Sequence, residues 1–155
     1  MYKTLDEIPQ LGEELYNSVS STLENLAFQS IKKADDNNED EPGEYINGSI
    51  WIKTNVAMYS LELLVKADFM ESITADIKVP GTESDTQGNI VIDVLLEFTN
   101  TVSGSLMRTM EPSIGAFNLE IPEFEIGRKV NKKAFITEKY VTDEGYPITV
   151  AITKI

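Results

Sequence analysis

The amino-acid sequence predicts an α+β domain in which two long helices and a shorter one pack on an antiparallel β-sheet. Two observations lead to this fold class. Apolar residues recur at helical spacing in three segments before residue 111, whereas turn residues and an alternation of apolar and polar residues dominate from Phe117 onward. The 155 residues, 41% of them hydrophobic and 25% charged, suffice for one domain spanning residues 1–155.

The N-terminal segment, residues 8–28, is predicted to form the first long helix. Its apolar residues recur every three or four positions, as on the buried face of an amphipathic helix. They are Leu11, Leu15, Val19, Leu23 and Leu26. A short strand is expected over residues 28–34, and residues 35–44 are acidic and contain proline and glycine, which indicates a loop. A calcium-binding loop is not expected there, because Glu41 and Asn47 replace the required glycine and glutamate.

The middle of the chain is predicted to alternate between strand and helix. Residues 45–55 alternate apolar and polar side chains, so a strand is expected. Residues 58–73 are predicted to form the shorter helix, because their apolar residues fall at helical spacing. These residues are Leu61, Leu64, Val65 and Ile73. A connection is expected over residues 79–89, followed by the second long helix at 90–110, which Pro112 is expected to end.

The last third of the chain is predicted to be β-rich. Residues 117–124 have the composition of a strand, interrupted by Pro122, which cannot donate a ladder hydrogen bond. Residues 134–142 and 146–153 are expected to pair as a hairpin, because a turn-forming Gly145 lies between them. Helices followed by strands in this order are typical of an α+β domain.

The composition excludes several classes of function. The chain has neither histidine nor cysteine, so Ser-His-Asp and Cys-His hydrolysis, disulfides and structural zinc sites are excluded. With 26 acidic and 13 basic residues and a net charge of −13, the chain is expected to bind neither nucleic acid nor a membrane. No uninterrupted apolar run reaches the roughly 18 residues of a membrane span, and no signal peptide is recognised. A cytoplasmic location is therefore expected.

One face of the predicted helix 90–110 carries a line of small and polar residues. At about 100° per residue, four residues fall within roughly 60° of one another, opposite the apolar stripe. They are Asp93, Glu97, Asn100 and Gly104. A solvated face is the simplest interpretation of the polar residues alone. However, glycine destabilises a helix interior, and the apolar Leu96 and Met107 flank the line, which favours a docking surface.

The same residues carry a resemblance to a known family. The segment from Asp93 to Gly104, DVLLEFTNTVSG, is similar to the D/S-x-x-x-E-x-x-N-x-x-x-G signature of the CheC, CheX and FliY chemotaxis phosphatases. Residues 45–52 and 117–127 resemble the glycine-containing and proline-bearing strands of that family. On the first predicted helix, Ala27 stands where a second copy of the motif would have its asparagine, which resembles the single-site CheX arrangement.

The resemblance implies an activity. The substrate would be the phosphorylated aspartate of a CheY-type receiver domain, and the chain would be a phosphatase of chemotaxis or a related two-component circuit. By the same resemblance, Asn100 would position the attacking water through its carboxamide, and Glu97 would pair with a lysine of the receiver. Mg²⁺ would be held by the receiver, so the chain is expected to need no metal or cofactor of its own.

The other residues of the line would contact the receiver. Asp93 is expected to be a supporting contact, Gly104 to allow close packing of the partner, and Leu96 and Met107 to supply apolar contacts. Two alternatives stay open. One is a non-catalytic interaction module of the same fold that binds a receiver or a flagellar-switch-type partner, and the other is a structural homodimer formed through sheet edges.

Overall fold

The structure, a computed structural model, describes residues 1–35, 42–75 and 86–155, with side chains of the last segment described from residue 89 onward. Most of the predicted acidic loop, residues 36–41, lies outside the described residues, and so does the first half of the segment that was compared with a calcium-binding loop. So does most of the predicted connection 79–89. Within the described residues, helices pack on one face of an antiparallel β-sheet, with the hydrophobic core between them.

The helices and strands follow one another in the order that the fold class predicts. The helices of the described residues are α1 Leu11–Ala27, α2 Ala67–Thr74 and α3 Thr86–Ile114, with a short 3₁₀ turn at Leu5–Glu7. The strands are β1 Ile31–Lys33, β2 Tyr45–Thr54, β3 Met58–Lys66, β4 Phe117–Leu119, β5 Glu123–Ile126, β6 Ile136–Thr142 and β7 Pro147–Lys154. Two helices are long and one is short, so the predicted α+β architecture is confirmed.

The strands form one antiparallel sheet in the order β1-β6-β7-β3-β2-β4, with β5 also paired to β2. Therefore β5 and β6, which are consecutive along the chain, lie on opposite sides of the sheet centre. Residues 127–135 join them, and we call these residues the crossing segment. At its start, Gly127 N donates to Tyr45 O of β2 at 2.8 Å, and at its end Phe135 N donates to Ile152 O of β7 at 3.0 Å.

The crossing segment lies on the face of the sheet that is opposite to the helices. On β3, Leu61 and Leu63 belong to the core, so Glu62 between them points to the other face. There its carboxylate accepts hydrogen bonds from Arg128 Nη2 at 2.8 Å and from Asn131 N at 2.9 Å. The two bonds attach the crossing segment to the sheet and leave Glu62 fully buried.

Helix α3 packs across the sheet over β2. Five residues of its predicted apolar stripe are buried, namely Val91, Leu95, Phe98, Val102 and Leu106. The sixth, Val94, is half-buried and packs against the core. Gly48 of β2 allows this close packing, since a Cβ at position 48 would overlap Thr99 Oγ1 and lie 3.2 Å from Leu95 Cγ. Glycine is required at position 48 because α3 packs so close to β2, and not because of the backbone angles of Gly48.

One helix of the described residues has the length and composition of a membrane span. It is Asn89–Ile114, with 26 residues, and half of its most apolar stretch is buried inside the protein. A helix that lies between a sheet and neighbouring helices has to be apolar over much of its surface. The packing of α3 on the core therefore accounts for its composition.

Residues 58–73 do not form one helix, so that prediction is wrong. Residues Met58–Lys66 are strand β3, paired to β2 on one side and β7 on the other, and only Ala67–Thr74 is helical. The spacing of Leu61, Leu64 and Val65 fits a helix, but these residues lie on both faces of a strand. Both faces are covered, one by helices and the other by the crossing segment.

Helix α3 extends beyond its predicted limits at both ends. It begins at Thr86 and continues through Pro112 to Ile114. Proline removes one helical hydrogen bond, and close to the end of a helix this loss does not stop it. Gly115 marks the end, because its N–H bonds to Glu111 O at 2.8 Å and its φ of 81° suits glycine.

The remaining elements agree with the predictions within a few residues. Strand β2 matches the predicted strand 45–55, and β1 lies within the predicted 28–34. The connection containing Pro122 separates β4 from β5. Strands β6 and β7 form the predicted hairpin, with Thr142 N donating to Tyr146 O at 2.9 Å. The C-terminal third is thus the part that was predicted most closely.

Candidate functional site

The predicted polar line is exposed on the N-terminal half of α3. Asp93, Glu97 and Asn100 are exposed, whereas Leu95 and Phe98 among them are fully buried. The helix therefore directs a carboxylate and a carboxamide outward, one turn apart. Glu97 Oε1 accepts a hydrogen bond from the hydroxyl of Thr101 at 3.3 Å, which holds the carboxylate along the helix surface.

A shallow groove of about 410 Å³ runs beside this part of α3. One wall is α3 and the other is the connection between β4 and β5. The lining residues are Asp93, Leu96, Glu97, Asn100, Leu119, Glu120, Ile121 and Pro122. The connection is tied to β2 by Glu120 N, which donates to Trp51 O at 2.9 Å. Glu97 and Asn100 consequently line a concave surface, which we call the acidic groove.

The charge of the acidic groove is negative. Asp93, Glu97 and Glu120 contribute carboxylates, and no described residue contributes a cation to the lining. Leu96 is half-buried in the same lining, and Ile121 is 86% exposed. A partner that brings a cation together with apolar surface is therefore complementary to the groove.

The second wall of the groove was missed by sequence reasoning. Glu120, Ile121 and Pro122 lie at least twenty residues away from Asn100 along the chain. The signal that could have found them is Pro122, which interrupts the strand and leaves an exposed isoleucine in the connection. The pairing of β4 with β2, which brings this connection beside α3, is not visible in local spacing.

Gly104 of the predicted line is not exposed, and neither is Met107, which was predicted to flank it. Met107 is fully buried in the core, so the prediction that it flanks the line on the surface is wrong. Gly104 is also buried, and the space above it holds the side chain of Arg108: a Cβ at position 104 would lie 3.2 Å from Arg108 Nη1. The physical reason is that α3 contacts α1 and α2 as well as the sheet, so Val102, Ser103 and Leu106 are also buried and α3 is covered around most of its circumference at residues 102–107.

A second groove, of about 380 Å³, lies between α1 and α3. Its lining residues are Ser21, Thr22, Asn25, Leu26, Glu97, Phe98, Thr101, Ser105 and Arg108. Glu97 lines both grooves, so its carboxylate stands on the ridge between them. We call this second site the interhelix groove.

Metal ligands are not clustered in the described residues, where no group of three acidic side chains could hold an ion. The acidic run at residues 36–41 lies outside the described residues. The expectation that the chain holds no metal or cofactor of its own therefore stays a prediction. The acidic groove offers exposed carboxylates and one carboxamide, which suit hydrogen bonding and ion pairing with a partner.

The chain is similar to known proteins in its structure, whereas comparison of its sequence finds no match. No protein-family model matches the sequence, and no curated protein matches it either. The chemotaxis protein CheX from Vibrio vulnificus is similar over 99% of both chains, with a TM-score of 0.74 and 16% identity. FliY from Thermotoga maritima is similar over 99% of this chain and 92% of its own, with a TM-score of 0.60 and 14% identity.

A third similar structure contains a partner. It is the complex of CheX, CheY, BeF₃ and Mg²⁺ from Borrelia burgdorferi, which matches over 93% of this chain and 97% of its own. The TM-score is 0.71 and the identity 15%. Likeness at such low identity, together with the order of helices and strands described above, shows that this chain has the fold of the CheX-like proteins.

Proposed function

We propose that the chain is a phosphatase that hydrolyses the aspartyl phosphate of a CheY-type receiver domain in chemotaxis or two-component signalling. The observation that carries the proposal is the exposure of Glu97 and Asn100, one turn apart in the acidic groove. A receiver can present its phosphate to these groups without unfolding any part of the chain. The similar CheX from Borrelia burgdorferi, whose structure is a complex with CheY, supports a partner of this kind.

The chemistry requires little of the catalyst beyond positioning. An aspartyl phosphate has a good leaving group, so a water placed in line with the phosphorus is the main need. Asn100 would hold that water through its carboxamide oxygen and N–H groups. The water oxygen bonds to phosphorus, the bond from phosphorus to the aspartyl oxygen breaks, and the aspartate leaves as a carboxylate. Both protons of the water end on the phosphate, which leaves as H₂PO₄⁻. No histidine is needed for this step.

Glu97 would dock the receiver. Its carboxylate on the ridge of α3 would form a charge-assisted hydrogen bond with a lysine of the receiver, which fixes the phosphate over Asn100. Asp93 would add a supporting contact, and Leu96 an apolar one, along the acidic groove. Mg²⁺ would be bound by the receiver and would neutralise charge on the phosphate. A cytoplasmic location follows from such a partner and is part of the proposal.

The proposal is tested by the lifetime of phosphorylated receivers. A panel of CheY-type receivers charged with acetyl phosphate is mixed with purified protein, and phosphate release is followed. Wild type is expected to shorten the lifetime of at least one receiver, and Asn100→Ala to abolish the acceleration with an unchanged melting temperature. Asn118→Ala is the matched control, since Asn118 is exposed on β4 and alternates with groove-lining Leu119. Equal activity of both variants would contradict the role of Asn100.

A non-catalytic module that binds a receiver is the alternative. The apolar exposure of Ile121 beside the acidic groove favours binding whether or not hydrolysis follows. Binding of a receiver that survives in Asn100→Ala, with no acceleration by wild type, would support this second function. A homodimer through the sheet edges also stays a prediction, which sedimentation at micromolar concentration would test.

A further inference from the structure

We propose that Arg108 binds an acidic side chain of the receiver in the interhelix groove, and so fixes the orientation in which the receiver docks. This inference rests on the proposed function and adds a positioning residue to it. Arg108 does not contact the reacting atoms. Its role would be to set which way round the receiver lies on α3.

The position of Arg108 on α3 is the first argument. Glu97 and Arg108 are eleven residues apart, so they lie within about 20° of each other around the helix and about 16 Å apart along it. Both line the interhelix groove. Thus one face of α3 presents a carboxylate at one point and a guanidinium three turns later, in a fixed relation to each other.

The second argument is how Arg108 is seated. A Cβ at position 104 would lie 3.2 Å from Arg108 Nη1 and 3.7 Å from Cζ, so the guanidinium rests against the helix surface at Gly104. Glycine in a helix interior is unfavourable relative to alanine. A larger residue at position 104 would require the guanidinium to shift by at least a few tenths of an ångström. This seat, and not a partner backbone, occupies the space that was predicted to be open above Gly104.

The third argument is the charge around Arg108. The sequence has two arginines, and Arg128 forms ion pairs with Glu62 at 2.8 Å and Glu125 at 3.2 Å. Arg108 is exposed and has no ion pair with any residue that the structure describes, although the chain carries a net charge of −13. Glu97, about 16 Å away along the helix, is too far to pair with it, and its carboxylate accepts a hydrogen bond from Thr101. An unpaired guanidinium in an acidic protein is complementary to a carboxylate brought by a partner.

These arguments specify the chemistry of the docked surface. The receiver would bring a cation to Glu97 and a carboxylate to Arg108, about 16 Å apart. Between them, Thr101, Ser105 and Asn25 offer hydroxyl and amide groups for hydrogen bonds. A receiver docked the other way round would meet like charges at both points, which selects one orientation.

The experiment measures steady-state dephosphorylation of an acetyl-phosphate-charged CheY-type receiver. Arg108→Glu is expected to raise KM roughly tenfold and to leave kcat within about twofold, since attraction becomes repulsion in binding only. Lys129→Glu is the matched control, because Lys129 is an exposed cation on the crossing segment and its reversal changes the net charge equally. KM values that are equal in these two variants would overturn the proposal.

A second variant tests the contact between the Arg108 guanidinium and Gly104. Gly104→Ala is expected to displace the guanidinium and to raise KM about threefold without lowering the melting temperature, because alanine favours the helix. The double variant Gly104→Ala/Arg108→Glu is expected to match Arg108→Glu alone. An additive increase in KM would mean that Gly104 acts independently of Arg108, which would contradict the proposed role of Gly104 in positioning the guanidinium.

Failure of the proposed function would be recognised separately. If wild type accelerates no receiver, binding of a BeF₃-loaded receiver is measured by calorimetry for the same variants. Weaker binding by Arg108→Glu than by Lys129→Glu would still support the role of Arg108. Rescue of Arg108→Glu by reversal of one receiver carboxylate to lysine would identify the partner group, and a failure of all such reversals would count against it.

Discussion

Gly48 of β2 lies directly beneath Thr99 of α3, with no room for a Cβ between the strand and the helix. Thr99 is fully buried and its hydroxyl donates to Leu95 O at 2.8 Å, whereas the next residue, Asn100, is exposed. The height of α3 above the sheet, and with it the position of Asn100, is therefore set by the absence of a side chain at position 48.

Gly48→Ala is expected to destabilise the protein by roughly 1–3 kcal/mol, because an added methyl group must displace α3 from a packed core. Activity on the receiver should fall as well, since Asn100 moves with the helix. Chemical denaturation and phosphate release measure the two effects. Thr99→Ala removes the overlapping hydroxyl, so the double variant Gly48→Ala/Thr99→Ala should recover most of the stability. Simple additivity of the two changes would contradict the direct contact.

Glu97→Gln is expected to raise KM about fivefold, the equivalent of roughly 1 kcal/mol, because an exposed charge-assisted bond to the receiver is replaced by a neutral one. The value of kcat should change less than KM. Glu111→Gln provides the control, as Glu111 is an exposed glutamate near the other end of the same helix. An unchanged KM in Glu97→Gln would remove Glu97 from the docking surface.

Arg128→Ala is expected to lower the free energy of unfolding by about 3 kcal/mol, because it leaves the buried Glu62 carboxylate without its cation. Glu125→Ala breaks the exposed pair with the same arginine and should cost less than about 1 kcal/mol. Urea denaturation compares the two. Similar losses in both variants would show that burial of Glu62 contributes little to the attachment of the crossing segment.

Leu96 and Met107 are expected to behave differently on truncation. Met107→Ala creates a cavity in the core and should cost about 2–5 kcal/mol of stability with little change in KM. Leu96→Ala removes a half-buried side chain from the lining of the acidic groove, so KM should rise while the melting temperature falls by less. Thermal denaturation together with receiver titration separates the two residues, and a rise in KM for Met107→Ala alone would reverse the assignment.

The stability at alkaline pH is expected to depend on Tyr140. Burial raises the pKa of its hydroxyl above the ordinary 10.0, and the nearby Glu138 adds to this shift. A raised pKa in the folded state means that stability is complete below pH 10 and is lost as the pH rises above it. The hydroxyl has no hydrogen-bond partner among the described residues, so Tyr140→Phe should be neutral or stabilising near pH 7.

Denaturation of both proteins between pH 8 and pH 11 checks this expectation. Tyr140→Phe should lose less stability than wild type over that interval. A part of the loss should remain, because burial also raises the pKa of Tyr59. Parallel pH profiles for the two proteins would contradict the assignment to Tyr140.

The sequence predicted the elements whose environment is local. The hairpin of β6 and β7 depends on a turn between neighbouring strands, and the break at Pro122 depends on one residue. Strand β3 was predicted as a helix because the residues that cover its second face are far away along the chain. The side chains of Leu61 and Leu63 meet the helices, while Glu62 is covered by residues 128–131, more than sixty positions later. No periodicity within residues 58–66 reveals that second cover.

The candidate site was predicted in part for the same reason. Helical spacing states which residues share a face, and Glu97 and Asn100 are exposed as expected. Spacing does not state how widely neighbouring elements cover that face. Residues 102–107 of α3 are covered around most of the helix circumference, so Met107 is buried, and Gly104 lies under Arg108. The groove wall at Glu120 and Ile121 likewise depends on strand pairing at the sheet edge.

The place of β7 in the sheet has a consequence for biosynthesis. This strand follows all the others along the chain, yet it lies at the centre, between β6 and β3. While a ribosome makes the protein, one edge of β3 stays unpaired until β7, more than eighty residues downstream, has been made. Until then, the nascent chain therefore carries an unpaired edge on an apolar strand, and chaperones that shield such strands would act on it during that interval.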